Sequence, residues 1–324
     1  MQEASPAEDV VVLPAPAVRE ATNVLVDQDA LVLAARELEP LPTTVTRLAR
    51  ILARHDWEMR EVEEAIALDQ ALTPRILRLA NSALSSRGHR IATVGEAVMR
   101  VGTGPLFSMA MALGVKRRFA APVKPYGLAE GELWKHSVAA ALTVESLGAR
   151  LRRRLPVESF TAALLHDVGK LVLARFLDEE RLGLLRAAAE RGHLSERDAE
   201  LEILGVDHGE LGAIIAQHWQ LPDPLVRAVQ HHHAPDGAPD RAPDGSLDAA
   251  PGETPDRTIA HVVHVADLVA DRVAARRRKK GEPPPPPEPL AASTRDRFKL
   301  DDAALDELAQ SVDARLADVL ERYA

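Results

Sequence analysis

The sequence contains no cysteine among its 324 residues. Disulfides, thiolate zinc sites and cysteine nucleophiles are therefore excluded, and any bound metal must be held by histidine and carboxylate side chains. Aromatic residues make up only 3% of the chain, so its core must be aliphatic. Alanine, leucine and valine dominate instead, and because they pack readily between helices the composition favours a helical protein.

Two further absences concern membranes and export. No run approaches the roughly 18 consecutive apolar residues that a membrane span needs. The first twenty residues contain Glu3, Glu8 and Asp9 and no basic residue before Arg19, unlike a secretory signal. The net charge of -9 gives the protein as a whole no electrostatic attraction to nucleic acid or anionic lipid. We expect a soluble cytoplasmic protein with no membrane contact, and nucleic acid ranks last among its expected partners.

Apolar residues recur at helical spacing through most of the chain. One face of the first such segment carries Val45, Leu48, Ile51 and Leu52. Similar segments follow on both sides of turn signals that include Pro122, Pro125 and Gly127. The sequence therefore predicts an all-α fold with two helical lobes, residues 39–120 and residues 121–280.

Three segments lie outside these regular helices. Residues 1–38 form an N-terminal extension that is either flexible or docked on the main body. Residues 234–257 are crowded with proline, aspartate and glycine and are predicted to form an exposed loop inside the second lobe. Residues 281–324 begin with a spacer that contains five prolines, Pro283–Pro287, and end in an amphipathic helix that docks on the body or on a partner. The exposed face of that helix is a candidate homodimer contact.

His166 and Asp167 are adjacent in the segment LLHDVGK. Neutral imidazole and carboxylate are good ligands for iron, manganese or zinc, but two ligands do not make a site. A metal inside a helical bundle draws its ligands from several helices, and suitable residues occur on other predicted helices. These further candidates are Glu132, His136, His208, His231, His232 and Asp267. The set is large enough for one or two divalent ions.

The three consecutive histidines and Lys170 need separate consideration. Among the three consecutive histidines His231–His233, we favour His231 and His232 because of their spacing from the following Asp-Gly pair, although which two converge stays open. Lys170 lies one turn past His166, and its ammonium is expected to contact a phosphate oxygen if the site is catalytic.

Each candidate ligand also has a purely structural interpretation. His166 and Asp167 could form a buried hydrogen-bonded pair without metal. Glu132 suits a first-turn position at the positive end of a helix dipole, and His208 stands at a predicted helix start where capping competes with ligation. Asp267 is different, because an unpaired carboxylate in an otherwise apolar helix is costly. We rank metal binding slightly above the structural interpretation.

Several segments, taken in order, resemble one bacterial family. They are LDQALTPRILRLANSAL, IATVGEAVMRVG, LWKHS, LLHDVGKL and VDHGELGAIIAQHWQLP. This order resembles the HDOD family, the HD-related output domain of signalling proteins, over about residues 38–272. The histidine and aspartate pattern is also partly similar to the HD-GYP phosphodiesterases of the wider HD superfamily. No Gly-Tyr-Pro follows Asp236 and Gly237, which departs from that second group.

The resemblance implies a two-lobed HDOD fold and a regulatory role. HDOD domains are generally regarded as regulatory and have often lost metal ligands, whereas this sequence keeps nearly every ligand type. The leading hypothesis is a signal-transduction protein that binds a partner protein or a nucleotide-like ligand, with or without metal. The rival is a metal-dependent phosphohydrolase of nucleotides or cyclic dinucleotides, in which Lys170 orients phosphate. A nucleic-acid binder that uses the basic run Arg276–Lys280 ranks third.

Overall fold

The computed structural model describes residues 26–52, 54, 56–67, 69–83, 90–192, 194–238, 255–278 and 288–323. Within these ranges the chain is helical, with one isolated antiparallel bridge between Val123 and Leu128 and no strand. The predicted all-α fold is confirmed. Residues 1–25, most of the predicted loop and the five-proline spacer lie outside the described residues.

The helices follow the chain in three sets. An N-terminal helix and the first lobe comprise α1 (Gln28–Arg36), α2 (Thr43–Leu52), α3 (Met59–Ala67), α4 (Leu72–Ala83), α5 (Val94–Val101) and α6 (Thr103–Ala120). The second lobe comprises α7 (Glu132–Leu151), α8 (Glu158–Leu165), α9 (Lys170–Leu173), α10 (Glu179–Gly192), α11 (Glu196–Leu204), α12 (His208–His218), α13 (Asp223–Gln230) and α14 (Pro255–Arg277). The C-terminal helices are α15 (Ala292–Phe298) and α16 (Asp302–Arg322).

The first lobe has an apolar interior built around α6. The face of α2 that the sequence predicts is buried at Val45, Leu48 and Ile51. Asn81, near the end of α4, is bound to Ile91: its side chain accepts a hydrogen bond from Ile91 N at 2.8 Å and donates one to Ile91 O at 2.9 Å. The polar atoms of Asn81 thus serve a structural role.

Gly102 separates α5 from α6. Its backbone φ of 92° lies in a region that residues other than glycine rarely adopt. The chain bends sharply there. Among the described residues no single helix is long and apolar enough to cross a membrane. Helices α5 and α6 meet that test of length and composition only as a pair, and they are bent by 117°.

Helices α7 and α14 pack along each other and form the core of the second lobe. Residues 259–270 of α14 are almost all inaccessible to solvent. A helix that is buried on every side is expected to be apolar throughout. The polar exceptions in that stretch are His261, His264 and Asp267, and each therefore needs a specific partner.

The segments at both ends of the described chain dock on the second lobe. Helix α1 packs on α9 and α12, and α16 packs on α7 and α14 through the apolar face that the sequence predicts. Ion pairs of Arg150 with Glu307 and of Arg315 with Glu145 border the α16 contact. Lys116 of α6 donates to the carbonyl of Tyr323 at 2.6 Å, so the C-terminal helix also touches the first lobe.

Candidate metal centre

Histidine and aspartate side chains from five parts of the second lobe meet at one buried point. They come from the second turn of α7, from the ends of α8 and α13, from the start of α12 and from the middle of α14. The residues are His136 in α7, His166 and Asp167 directly after α8, His208 at the start of α12, His232 and His233 directly after α13, and Asp267 in α14. This set is referred to below as the centre.

A close approach of α9 to α12 brings Asp167 and His208 together. A Cβ atom placed on Gly169 would lie 1.9 Å from the carbonyl oxygen of His208 and 2.9 Å from Gly212 N. No real Cβ tolerates such distances, so the glycine in the HDVGK segment is required by packing. The result is a distance of 3.3 Å between Asp167 Oδ1 and His208 Nε2.

One group of atoms in the centre surrounds His136. Its Nε2 lies 3.1 Å from His166 Nε2 and 3.2 Å from Asp267 Oδ1. Asp167 Oδ2 is 3.5 Å from the same nitrogen, and His166 Nε2 is 3.2 Å from Asp267 Oδ1. Two histidines and two carboxylates therefore face one another within the spacing that ligands of a single cation adopt. Two nitrogens bound to one zinc, for example, lie roughly 3.4 Å apart in tetrahedral geometry.

A second group lies on the other side of Asp167. His208 Nε2 is 2.8 Å from His233 Nε2 and 3.3 Å from Asp167 Oδ1. The ring of His232 lies 3.9 Å from that of His233, centroid to centroid, and is tilted by 42° from it. The two carboxylate oxygens of Asp167 thus point to different groups, and Asp167 lies between two clusters of potential ligands.

Backbone carbonyls fix the tautomers of two of these histidines. His166 Nδ1 lies 2.7 Å from Ala163 O, and His232 Nδ1 lies 2.6 Å from Val229 O. A carbonyl oxygen can only accept, so each Nδ1 carries a proton and donates it. In the neutral rings the lone pair is then on Nε2, which points into the centre.

Carboxylates hold the outward nitrogens of two others. His208 Nδ1 is 2.7 Å from Glu200 Oε2, and His233 Nδ1 is 2.6 Å from Glu288 Oε2. His136 Nδ1 has a looser neighbour in Asp271 Oδ1 at 3.7 Å. Histidines that bind metals usually have their second nitrogen held by a carboxylate or carbonyl in this way.

Three observations fit these residues to divalent cations. His232 Nε2 is buried, and no hydrogen-bond partner for it exists in the part of the chain that the structure describes. The two Nε2 to Nε2 pairs, at 3.1 Å and 2.8 Å, each require a shared proton or a shared cation. Six carboxylates also belong to the centre or its direct contacts, an excess of negative charge that cations would neutralise. They are Asp167, Glu196, Glu200, Asp267, Asp271 and Glu288.

Without a cation, protons compensate part of this charge. Burial alone would lower the pKa of His136, but its hydrogen bond to Asp267 and the charge of Asp167 raise that pKa to about 9. Burial, together with the charge of Asp267, raises the pKa of Glu288 to about 8. In contrast, burial and the neighbouring His166 and His208 lower the pKa of His232 to about 3. A cation that enters the centre must therefore displace protons from some of these groups.

Comparisons with known proteins identify the family of the chain. The family model for the HDOD domain matches residues 38–235, more than half of the chain. The chain belongs to the HDOD family. The resemblance inferred from the ordered sequence segments is therefore confirmed.

Individual proteins resemble this HDOD protein over most of its length. An uncharacterized protein of Treponema pallidum (strain Nichols) is 26% identical over 205 residues, which are 63% of this chain but only 39% of that protein. A solved structure from Shewanella amazonensis SB2B, named "Putative phosphohydrolase", is 24% identical with a TM-score of 0.60, covering 91% of this chain and 98% of that one. One from Marinobacter aquaeolei VT8, named "Putative signal transduction protein", is 22% identical with a TM-score of 0.61, covering 93% and 62%. At these identities the two structures support the fold alone.

The structure separates the predicted ligands of the HDOD protein into two sets. It brings His136, His166, Asp167, His208, His232 and Asp267 together. Glu132 instead stays at the start of α7, where its Oε2 accepts a hydrogen bond from Ala129 N at 2.7 Å. His231 lies beside the turn at Gly237, and His233 occupies the position in the centre that the sequence analysis favoured for His231. The capping role that was the alternative for His208 is filled by Asp207, whose side chain accepts a hydrogen bond from Glu210 N.

Lys170 lies at the edge of the centre as a counter-ion. Its Nζ is 3.1 Å from Asp167 Oδ2 and 2.6 Å from Glu196 Oε1, and it sits over the ring of Tyr126. Burial would lower the pKa of Lys170, but Asp167 and Glu196 keep it well above its usual value. The ammonium is thus charged and occupied by carboxylates in this arrangement, and its predicted contact with phosphate stays a prediction.

Several residues that contact the centre were not predicted from the sequence. Asp271 follows Asp267 by one helical turn, a signal that the sequence did contain. Glu200 and Glu288 come from α11 and from the segment after the prolines, and no local pattern links them to the centre. His261 and His264 are buried and structural: His261 Nδ1 lies 2.7 Å from Thr294 Oγ1, and His264 Nδ1 donates to His232 O at 2.9 Å.

Proposed function

We propose that this HDOD protein is a bacterial signal-transduction protein whose second lobe binds one or two divalent cations. The observation that carries the proposal is the pair of facing Nε2 contacts on either side of Asp167. His136, His166, Asp167 and Asp267 would hold one ion, and Asp167, His208, His232 and His233 would hold the other. Iron, manganese and zinc all suit a set of imidazole and carboxylate ligands.

The limited exposure of the centre favours a regulator that binds a ligand or a partner. The side chains of His136 and Lys170 are only 11% and 13% exposed. The most exposed of the acids beside the centre are Asp271 and Glu196, with side chains 57% and 49% exposed. Negative charge on this exposed side opposes rapid exchange of anionic substrates and products. A protein partner, or a nucleotide-like ligand that binds and leaves slowly, therefore fits better than fast turnover.

A metal analysis tests the binding of cations. Protein purified without chelator is expected to contain about one or two equivalents of iron, manganese or zinc by mass spectrometry of the metals. Asp167→Ala should lose most of that metal, because Asp167 contacts both groups. Asp318→Ala, which removes an exposed acid on α16, serves as the matched control and should keep the metal. Wild-type protein that takes up none of the three metals would contradict the proposal.

A second candidate function is a metal-dependent phosphohydrolase. The position of Asp167 between two ligand groups favours it, because a pair of ions acts as Lewis acids toward a phosphate ester and the attacking water. In that case Lys170 would exchange Glu196 for a phosphate oxygen.

Metal-loaded protein separates the two candidates. Hydrolysis of bis(p-nitrophenyl) phosphate or of cyclic dinucleotides that disappears in Asp167→Ala would favour the enzyme. Binding of a cyclic dinucleotide or a nucleotide, measured by calorimetry, without hydrolysis would favour the regulator.

A further inference from the structure

Glu288 reaches the centre from a part of the chain that neither the family match nor the ligand pattern includes. Its Oε2 lies 2.6 Å from His233 Nδ1, across 55 positions of sequence. The match to the HDOD family ends at residue 235, and Glu288 follows directly after the five prolines. The side chains of Glu288 and His233 are only 18% and 9% exposed, so the contact is largely shielded from solvent.

The segment that carries Glu288 is anchored at several successive points. Leu290 is buried, and Ala291 N donates to His264 Nε2 at 3.1 Å. Ser293 Oγ donates to Asp236 Oδ2 at 2.6 Å, and Thr294 Oγ1 lies 2.7 Å from His261 Nδ1. These contacts fix the register of the chain immediately after Glu288. Its approach to His233 is therefore determined by the fold and is not a chance surface contact.

His264 connects this segment to the backbone of the centre. Its Nδ1 donates to His232 O at 2.9 Å while its Nε2 accepts from Ala291 N at 3.1 Å. Both bonds require one neutral tautomer, with the proton on Nδ1. The C-terminal segment is thus connected to the turn of His232 and His233 in two ways. His264 links the backbone of Ala291 to the backbone of His232, and the side chain of Glu288 contacts the ring of His233.

The contact has a defined consequence for a bound cation. Ligation by His233 Nε2 requires the proton of the ring to lie on Nδ1, where Glu288 accepts it. The opposite histidine of the same group, His208, is held in the same manner by Glu200 at 2.7 Å. Each of the two rings that face each other at 2.8 Å therefore has a carboxylate behind it. A carboxylate in this position orients the ring and makes its ligating nitrogen more basic.

We propose that Glu288 is a positioning residue of the centre, which fixes the orientation and tautomer of His233 and makes the C-terminal segment part of the metal site. The proposal rests on the proposed binding of divalent cations, but it makes a separate statement about which residue completes the second group. The C-terminal segment is accordingly a structural component of the site and not a separate tail.

Zinc affinity provides the first test. The full chain, stripped of metal, is titrated with zinc in competition with a chelator. Glu288→Ala is expected to weaken the binding of zinc about 10- to 100-fold, the usual effect of removing a residue that supports a ligand. Glu288→Gln keeps an oxygen that accepts a hydrogen bond and should recover part of the loss. Glu307→Ala removes an acid on α16 that pairs with Arg150 at the surface, and it should bind zinc like the wild type.

Nitrogen-15 spectra of the metal-free chain provide the second test and do not depend on metal. In Glu288→Ala the signals of the His233 ring should move to those of a ring whose Nδ1 has no partner, and Glu307→Ala should leave them in place. Equal zinc affinity in Glu288→Ala and Glu307→Ala would overturn the positioning role while leaving the proposed function intact. If the wild type binds none of zinc, iron and manganese, the proposed function fails, and unchanged His233 signals in Glu288→Ala would then overturn the contact itself. Moved signals would retain Glu288 as the residue that holds His233.

Discussion

The interiors of the two lobes differ in what they bury. Among the described residues of the first lobe, the buried side chains are apolar apart from Ser108. The second lobe buries ionisable groups beside its apolar core. These are His166, Asp167, Glu200, Asp207, His208, His232, His261, His264 and Asp267. One lobe therefore has the composition of a structural support, and the other has that of a site.

The physical cost of the two interiors differs as well. Apolar burial stabilises a fold by about 25 cal/mol for each Å² removed from water. A buried charge is destabilising unless it is paired, hydrogen-bonded or bound to a metal. The second lobe retains the costly arrangement, and its stability should therefore depend on pH and on cations, whereas that of the first lobe should not.

The largest expected effect tests the first lobe alone. Leu48 is fully buried in α2, and Leu48→Ala should lower the free energy of unfolding by about 2–5 kcal/mol through lost burial and a cavity. Leu33→Ala, at a leucine that is 58% exposed, is the matched control and should have little effect. Chemical denaturation measures both. The folded Leu48→Ala protein should keep the zinc affinity of the wild type, and a large loss of affinity would show that the lobes are energetically coupled.

A slightly smaller effect is expected at the contact of α9 with α12. Gly169→Ala places a methyl group against the His208 carbonyl, so the protein should lose about 1–3 kcal/mol of stability and most of its zinc affinity. Gly183 in α10 has no atom within 4 Å of an added Cβ, and Gly183→Ala should be neutral or stabilise the chain by up to about 1 kcal/mol. Zinc binding that survives in Gly169→Ala would mean that the approach of Asp167 to His208 is not needed.

The pH dependence of the metal-free protein should reveal the second lobe. The pKa of His136 is raised from 6.5 to about 9 in the folded protein, so its contribution to stability is fully present below pH 6.5 and is lost as the pH rises toward 9. Glu288, whose pKa is raised from 4.5 to about 8, acts in the same direction, and its own contribution is lost between pH 4.5 and 8. Stability should fall between pH 6.5 and 9 with a slope on the order of 1 kcal/mol per pH unit.

Metal should reverse this trend, because zinc must displace the proton of His136 and therefore binds more tightly as the pH rises. Thermal unfolding at several pH values, with zinc and with chelator, measures both slopes. His136→Gln should flatten the slope of the metal-free protein, and an unchanged slope in that variant would rule out the assignment to His136.

The smallest expected effect concerns the surface of α16. Arg150→Ala breaks the ion pair with the exposed Glu307, and exposed pairs contribute about 0–1 kcal/mol. The change in the free energy of unfolding should shrink further at high salt. A loss comparable to that of Leu48→Ala would show that the docking of α16 depends on charge and not on its buried apolar face.

Periodicity and residue type predicted most of the fold and much of the centre. Helical spacing predicts one apolar face of the last helix, made of Leu305, Leu308, Val312, Leu316 and Val319. The first four of these residues are buried in α16, and Val319 is half-buried. The unusual position of Asp267 in an apolar helix correctly indicated a polar partner. Such signals are local, because they depend on helical geometry and on the cost of burying charge.

Contacts that depend on tertiary structure were not predictable in this way. Helix α13 ends at Gln230, so helical spacing does not decide which of the following histidines turns inward. The spacing from Asp236 gave no guide either, because that carboxylate accepts hydrogen bonds from Ser293 and Arg257 instead of supporting the centre. Glu200 approaches His208 across the turn between α11 and α12, and Glu288 approaches His233 from the segment before α15. The sequence carries no periodic signal for either contact.

The wide separation of the ligands along the chain also bears on biosynthesis. Asp167 and Asp267 stand one hundred positions apart, and Glu288 comes later still. At a ribosomal rate of about 5–20 residues per second, roughly 5–20 seconds pass between the synthesis of the first aspartate and the second. During that interval the nascent chain displays histidines without the carboxylate that completes the first group. If the centre binds a cation as proposed, tight capture is thus deferred until the second lobe is nearly complete, because a polypeptide that stalls before α14 lacks Asp267.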